Sequence, residues 1–269
     1  MEYPYIQEIF DIVEQGVTMP VRAILSDGRK VIAKYPNNII GNQILVNEFI
    51  GSSIAKAIDV NVPEYGVCIM SDDVIEQASL EYDGLSADNS GTCFYTEYIS
   101  QSIPITNGII MSMSIEDFDV AKLILFDHII CNQDRHKGNM ILDTEKNRLY
   151  SIDHGTLFTK GPKYDLDSLA EYKNIDSLND IGILKSNYDI YSILWTKFSC
   201  RDNDIYEACE KIKKELSMER LWQVKDSIPL TWFDLVGIDI INQIFEVIQF
   251  RINRLEAICK LIIEARRKL

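Results

Sequence analysis

Basic residues are scarce in this chain. Its 27 Lys and Arg stand against 41 Asp and Glu, a net charge of −14. Nonspecific nucleic-acid binding depends on neutralising phosphates with Lys and Arg, so nucleic acid is not expected as a direct partner. The six cysteines (Cys68, Cys93, Cys131, Cys200, Cys209 and Cys259) contain no CxxC pair. That excludes a zinc-ribbon pattern and gives no sign of a secreted disulfide scaffold. No stretch of about 18 apolar residues runs without a charge, so no membrane span is expected. The opening MEYPYIQEIF carries acids where a secretion signal would carry bases. Internal repeats and low-complexity linkers are also lacking. The expectation is a cytoplasmic protein. What is present is ordinary globular composition, 46% hydrophobic and 25% charged over 269 residues, enough for one large or two small domains.

The first hundred residues read as strands with one helix. Val21 to Leu25 and Val31 to Lys34 flank Ser26-Asp27-Gly28-Arg29, a hairpin signal. Asn42 to Ile58 has helical spacing, with Ile44, Leu45, Phe49, Ile54 and Ile58 able to share an apolar face. Strands are expected at Val67 to Met70 and Thr92 to Ile99, with a loop around Asp83 to Gly91. Beyond Pro104 the character changes. Ser114 and Asp117 suggest a capping box opening an apolar helix to Ile130. Short strands at Met140 to Leu142 and Leu149 to Ile152 flank a turn. From Asp202 the pattern is helical, with one long element from Ile238 to Arg267. The organisation expected is a β-rich lobe over 1–102 and a helical lobe over 103–269, an α+β, two-lobed fold.

The informative segment runs from Phe126 to Phe158. A helix leads into the polar loop Asn132-Gln133-Asp134-Arg135-His136-Lys137-Gly138-Asn139, and a hairpin follows that ends in Ile152-Asp153-His154-Gly155. Phosphoryl transfer asks a protein for alignment of the nucleophile and neutralisation of triphosphate charge. Asp134 could accept a hydroxyl proton, with His136 orienting the loop. Asn139 and Asp153 could offer oxygens to Mg²⁺, a hard cation that takes few protein ligands. Protein kinases place a metal-binding Asn five residues after the catalytic Asp, followed by a strand-borne Asp-x-Gly. Each piece alone reads as an ordinary turn or strand end; their order on suitable elements favours the functional reading. Upstream, Lys34 closes an apolar strand where a phosphate-binding Lys would lie, and Glu48 on the next helix is placed to pair with it. The backbone of Glu97 and Ile99 could bind an adenine edge. Gln15-Gly16-Val17-Thr18-Met19 would be the phosphate loop, with Gly16 and Thr18 as its contacts, though it holds a single glycine.

At these residues the sequence resembles the HipA-like kinases, a bacterial group named for a toxin of toxin–antitoxin systems. It is also similar to phosphoinositide kinases, which share the Asp-Arg-His-x-x-Asn loop and the Ile-Asp-x-Gly strand. The resemblance implies an α+β, two-lobed, protein-kinase-like fold, ATP as donor with Mg²⁺, a protein Ser or Thr as acceptor, and an antitoxin-like or other regulatory protein partner. It implies Asp134 as base, Asn139 and Asp153 as Mg²⁺ ligands, Lys34 on the phosphates, and Glu97 and Ile99 on adenine. The loop is not the His-Arg-Asp loop of eukaryotic-type protein kinases, and no Ala-Pro-Glu segment follows. Two rival readings stay open. One is a nucleotide-binding pseudokinase. The other is a metal-dependent hydrolase using His128, His136 and His154 beside Asp127, Asp134 and Asp153. Against the second, His128 is expected to be a packed, hydrogen-bonded core residue. Tyr188, Tyr191, Trp195 and Phe198 are expected in the core, as are Leu221, Trp222, Trp232 and Phe233.

Overall fold

Short runs of β-branched and aromatic residues, punctuated by turn-formers, draw the beginning of the chain into a five-stranded antiparallel sheet. The computed structural model describes residues 3–13, 18–115, 118–158, 163–178 and 181–268. The first strands are β1 (Ile6–Ile12), β2 (Val21–Leu25) and β3 (Lys30–Lys34), followed by helix α1 (Gln43–Ala57). Then come β4 (Tyr65–Met70), α2 (Asp72–Ser79) and β5 (Gly91–Glu97), giving the sheet order β1-β2-β3-β5-β4. The β2–β3 turn closes as the sequence predicts: Gly28 takes φ +86°, a conformation costly for any side chain, and the Asp27 carboxylate accepts the Arg29 N–H at 3.1 Å.

Two elements here depart from expectation. Strand β1 was not foreseen because two register irregularities put its buried residues, Ile6, Ile9 and Ile12, three apart instead of two. Helix α2 was not foreseen either; it is a short amphipathic segment that buries Ile75 and Ala78 on the sheet and leaves its acids in solvent.

Strand β6 (Ser102–Pro104) and helices α3 (Asn107–Ser112) and α4 (Val120–Ile129) lead to the hairpin β7 (Met140–Asp143) and β8 (Arg148–Ser151), and β6, β7 and β8 form a second sheet. The expected capping box at Ser114 is not what starts α4. The Asp119 carboxylate caps it by accepting the Lys122 N–H at 3.0 Å, and Asp117 lies outside the described residues. Next come α5 (Leu166–Glu171), α6 (Gly182–Ser186), α7 (Tyr188–Lys197), α8 (Asp202–Glu215), α9 (Met218–Asp226) and α10 (Leu230–Val236). The single long helix expected at the end is two, α11 (Ile238–Ile252) and α12 (Leu255–Arg266), broken at Asn253 and Arg254. The apolar periodicity runs on through that break, so it left no mark in the pattern.

Two helices carry the interior. Ile44 through Ala55 of α1 and all ten residues of α4 are buried. One apolar cluster joins α1 to the later helices; a smaller one lies between the first sheet and α2. Phe49 of α1 meets Trp232 of α10 edge-on at 5.8 Å, and the Trp232 indole N–H donates to the Thr92 carbonyl of β5 at 3.0 Å. Trp222 does not join this core: it is 48% exposed, because α9 turns it outward while burying Leu221 and Val224.

Candidate active site

Because α4 is buried on every side, its polar side chains must find partners inside the protein. Asp127 in its last turn does so fully. Its carboxylate accepts from Arg135 Nε at 3.1 Å and Nη2 at 2.9 Å, from Asn132 Nδ2 at 2.8 Å and from Tyr191 OH at 2.8 Å. Arg135 is as buried as its partner, and its Nη1 donates to the carbonyls of Asn139 at 3.1 Å and Ile152 at 3.3 Å. Asn187 completes the brace, accepting the Arg135 N–H at 2.9 Å and donating to the Asn132 carbonyl at 2.9 Å. One carboxylate therefore fixes both ends of the polar loop and the strand end that follows it. The Asp127 charge lifts the Arg135 guanidinium pKa against the opposing effect of burial.

On that frame Asp134 reaches solvent, with a side chain 49% exposed. Asn139 Nδ2 donates to the Asp134 carbonyl at 2.7 Å and to its Oδ2 at 3.3 Å. The amide nitrogen of Asn139 is thus engaged on Asp134. Thr156 Oγ1 also donates to Asp134 Oδ2, at 3.2 Å. His136 Nδ1 accepts the Gly138 N–H at 2.9 Å, so a neutral ring carries its proton on Nε2, 3.7 Å from Asp134 Oδ1.

The Ile152 N–H donates to the Asn139 carbonyl at 3.0 Å, which ties the loop to the Asp153 segment. Asp153 has φ +58°, a left-handed conformation costing roughly 1–2 kcal/mol for a residue with a Cβ. Its carboxylate accepts from Lys34 Nζ at 2.7 Å, and Lys34 also pairs with Glu48. Glu48 in turn accepts the His154 N–H at 3.0 Å. Lys34 and Glu48 are buried, while the Asp153 side chain is 46% exposed. The Lys34 ammonium holds Asp153 well below the usual carboxylate range. Burial pushes Glu48 up to about 7, against the pull of Lys34 and with the added repulsion of Asp153. Burial works to lower the Lys34 pKa, but Asp153 and Glu48 overcome it and raise it.

The expected site residues thus fall into three groups. Lys34, Glu48, Asp153, Asn139 and Asp134 gather on one face, with His136 at its rim. Of the expected phosphate loop, Gly16 lies outside the described residues, while Thr18 is half-buried in a turn after them. Glu97 lies on β5 three residues beyond Phe94, the partner of Lys34, or about 10 Å along the strand. Its N–H is committed to the Glu64 carbonyl at 2.6 Å, on the β4 side, whereas the Ile99 N–H finds no backbone acceptor among the described residues. A polar cleft of about 550 Å³ on that β4 side, bordered by Glu64, Glu97, Tyr98, Asp143, Lys146 and Tyr150, includes none of the charged cluster.

Two polar oxygen donors, an amide and a carboxylate, suit a hard divalent cation. A histidine metal site is a different matter: no three His, Cys, Asp or Glu side chains gather as one would require, among the described residues. His154 is buried, its Nε2 3.0 Å from Ser151 Oγ, and burial together with Arg135 keeps its pKa well below the usual value. His128 is packed as expected, but the expected hydrogen bond is absent. Neither ring nitrogen has a partner among the described residues, and burial with the nearby Arg251 guanidinium lowers its pKa to about 3.

Sequence reasoning missed the roles of Asp127, Arg135, Asn187 and Tyr191. Tyr191 lies in the core as expected, with its hydroxyl in the brace. The signal available was a charged residue in the last turn of a largely apolar helix, which demands a buried partner.

Comparison with known proteins bears on the fold and the family. Across 96% of both chains, the fold is similar to that of the Helicobacter pylori proinflammatory kinase CtkA, at 14% identity and a TM-score of 0.62. A Golgi casein kinase aligns over 98% of this chain and 74% of its own at 11% identity and a TM-score of 0.49. Shewanella oneidensis HipA, solved with HipB and operator DNA, aligns over 96% of this chain and 68% of its own at 10% identity and a TM-score of 0.45. No curated protein sequence matches. A profile of HipA-like kinases matches residues 6–170, more than half of the 269. The chain belongs to the HipA-like kinase family.

Proposed function

We propose that this kinase transfers the γ-phosphoryl group of ATP, with Mg²⁺, to a serine or threonine hydroxyl of a protein. The observation that carries the reading is the meeting of Lys34, Glu48 and Asp153 beside a carboxylate, Asp134, held by Asn139. Lys34 binds the phosphates of the donor, and Glu48 keeps its ammonium in place. Asn139 and Asp153 hold the metal, which when bound neutralises charge on the triphosphate. Asp134 accepts the proton of the attacking hydroxyl; the Thr156 hydroxyl already at its Oδ2 supports an aliphatic alcohol as the group that fits there. The Ile99 N–H offers a donor to the adenine edge. Residues 1–102 supply the nucleotide side of the site and 103–269 the catalytic loop.

Protein Ser/Thr as acceptor, and a regulatory protein partner of the antitoxin type, rest on the family resemblance. Six buried thiols support a reducing, cytoplasmic setting. No helix among the described residues is long and apolar enough to cross a membrane.

The test is thermal stabilisation by ATP with and without Mg²⁺, followed by label transfer from γ-labelled ATP, in wild type and Asp153→Asn. A ligand that binds only the folded state raises its stability. Metal-dependent stabilisation and transfer, both weakened in the variant, are expected. Stabilisation without transfer to any protein offered would point to a pseudokinase, and absence of any nucleotide effect would overturn the reading.

A further inference from the structure

Helix α1 carries Glu48, yet the residues around Glu48 touch the chain beyond Asp153 more closely than Glu48 alone requires. Asn47 Nδ2 donates to the Gly155 carbonyl at 2.8 Å, one residue on from the His154 N–H that Glu48 accepts. Asn47 Oδ1 accepts the Tyr164 hydroxyl at 2.6 Å, and both side chains are buried. One turn earlier, Gln43 grips the Tyr164 backbone with both ends of its amide. Its Nε2 donates to the Tyr164 carbonyl at 2.7 Å, and its Oε1 accepts the Tyr164 N–H at 3.2 Å. Gln43, Asn47 and Gly51 recur at i, i+4 and i+8, one stripe of the helix. At Gly51 a Cβ would stand 2.5 Å from His154 Cβ, so the helix is bare there to admit the Asp153-His154-Gly155 segment. A mid-helix glycine costs about 1 kcal/mol against alanine, and close approach to that segment gives it a use.

We propose that Tyr164, acting through Asn47 and Gln43, is a positioning residue for metal binding: it clamps the segment after Asp153 onto α1 and so sets the Asp153 carboxylate. The inference rests on the phosphotransferase reading. The Asp153 backbone is held in a left-handed conformation, which persists only where its surroundings over-determine it. Glu48 supplies one constraint on that segment. Asn47 supplies the next, and Tyr164 fixes the Asn47 amide in the orientation that donates to Gly155.

The experiment measures ATP affinity with and without Mg²⁺ by titration of the full chain, for wild type, Tyr164→Phe, Asn47→Ala and the double variant, with melting temperature alongside. Loss of one net hydrogen bond is worth about 0.5–1.5 kcal/mol, or about twofold to tenfold. The expected result is that Tyr164→Phe loses about that factor in the Mg²⁺-dependent gain in ATP affinity, with metal-free affinity unchanged. The double variant is expected to lose little more than Asn47→Ala alone, since the two act as one unit. A merely structural tyrosine would lower the melting temperature and leave the metal-dependent gain intact; that result overturns the inference while the kinase reading stands. A wild type without any metal-dependent gain overturns both. If Tyr164→Phe fails to fold, Gln43→Ala, on the half-buried side of the clamp, reads the same quantity with the same two outcomes.

Discussion

Replacing Asp127 with Asn tests the buried brace most directly. The substitution keeps the shape but removes the charge opposite Arg135, and a side-chain amide presents hydrogens toward at least one guanidinium donor. Breaking a buried ion pair by altering one partner costs about 3–5 kcal/mol, because the other charge is left uncompensated. Both side chains here are 0% exposed, so solvent offers Arg135 no relief. Against a typical domain stability of about 5–15 kcal/mol, that is a large fraction. At about 2–4 °C per kcal/mol for a chain of this size, the melting temperature should fall by about 10 °C. Thermal melts followed by circular dichroism measure this directly. The pair Asp127→Leu with Arg135→Met should recover only part of the loss, since it removes the uncompensated charge but leaves the buried Asn132 amide and Tyr191 hydroxyl without their acceptor. Recovery should not extend to function. Arg135 also ties the Asn139 and Ile152 carbonyls together, so the double variant should still lack Mg²⁺-dependent stabilisation by ATP. A melting shift under about 2 °C for Asp127→Asn, or full metal-dependent ATP binding in the double variant, would refute the assignment of this network as the frame of the loop.

Two further predictions concern α1. The Glu48 pKa in the folded protein stands at about 7, above its value of 4.5 in an unfolded chain. The folded state therefore holds an extra proton between those values, and the stability it contributes is full below pH 4.5 and lost as pH rises through about 7. His128 and His154, both held below the usual histidine range, add stability as pH rises toward 6.5, so the Glu48 contribution is read as a difference. In urea titrations of the unliganded protein from pH 5 to 8, the stability of wild type relative to Glu48→Gln should fall as pH rises, and a pH-independent difference would remove Glu48 as the group. Gly51→Ala puts a Cβ against the His154 Cβ, backbone-anchored atoms with little room to yield. It should lower the melting temperature by several degrees and weaken Mg²⁺-dependent ATP binding together, whereas alanine's better helix propensity alone would stabilise the protein.

How far the sequence reached depended on separation along the chain. Asp134, Asn139 and Asp153-His154-Gly155 lie within 22 residues on a helix, loop and hairpin, so their spacing already encodes their geometry. The β2–β3 turn was legible for the same reason, through Gly28. Lys34 and Glu48 were inferred from element order, and the structure brings them together. Strand β1 and the break between α11 and α12 were not legible. In β1 the alternation is hidden by register shifts, and across the break the apolar pattern continues unaltered.

Local spacing, then, determined the polar loop from Asn132 to Asn139, the Asp153-His154-Gly155 segment and the order of strand, helix and hairpin, because each rests on contacts a few residues long. Tertiary structure alone decided what holds them. Asp127 meets Tyr191 across 64 residues, Asn47 meets Tyr164 across 117, and Trp232 meets Thr92 across 140. No periodicity reports such pairings, since they form only when burial strips water from a polar group and leaves the nearest complementary group in the fold as its partner.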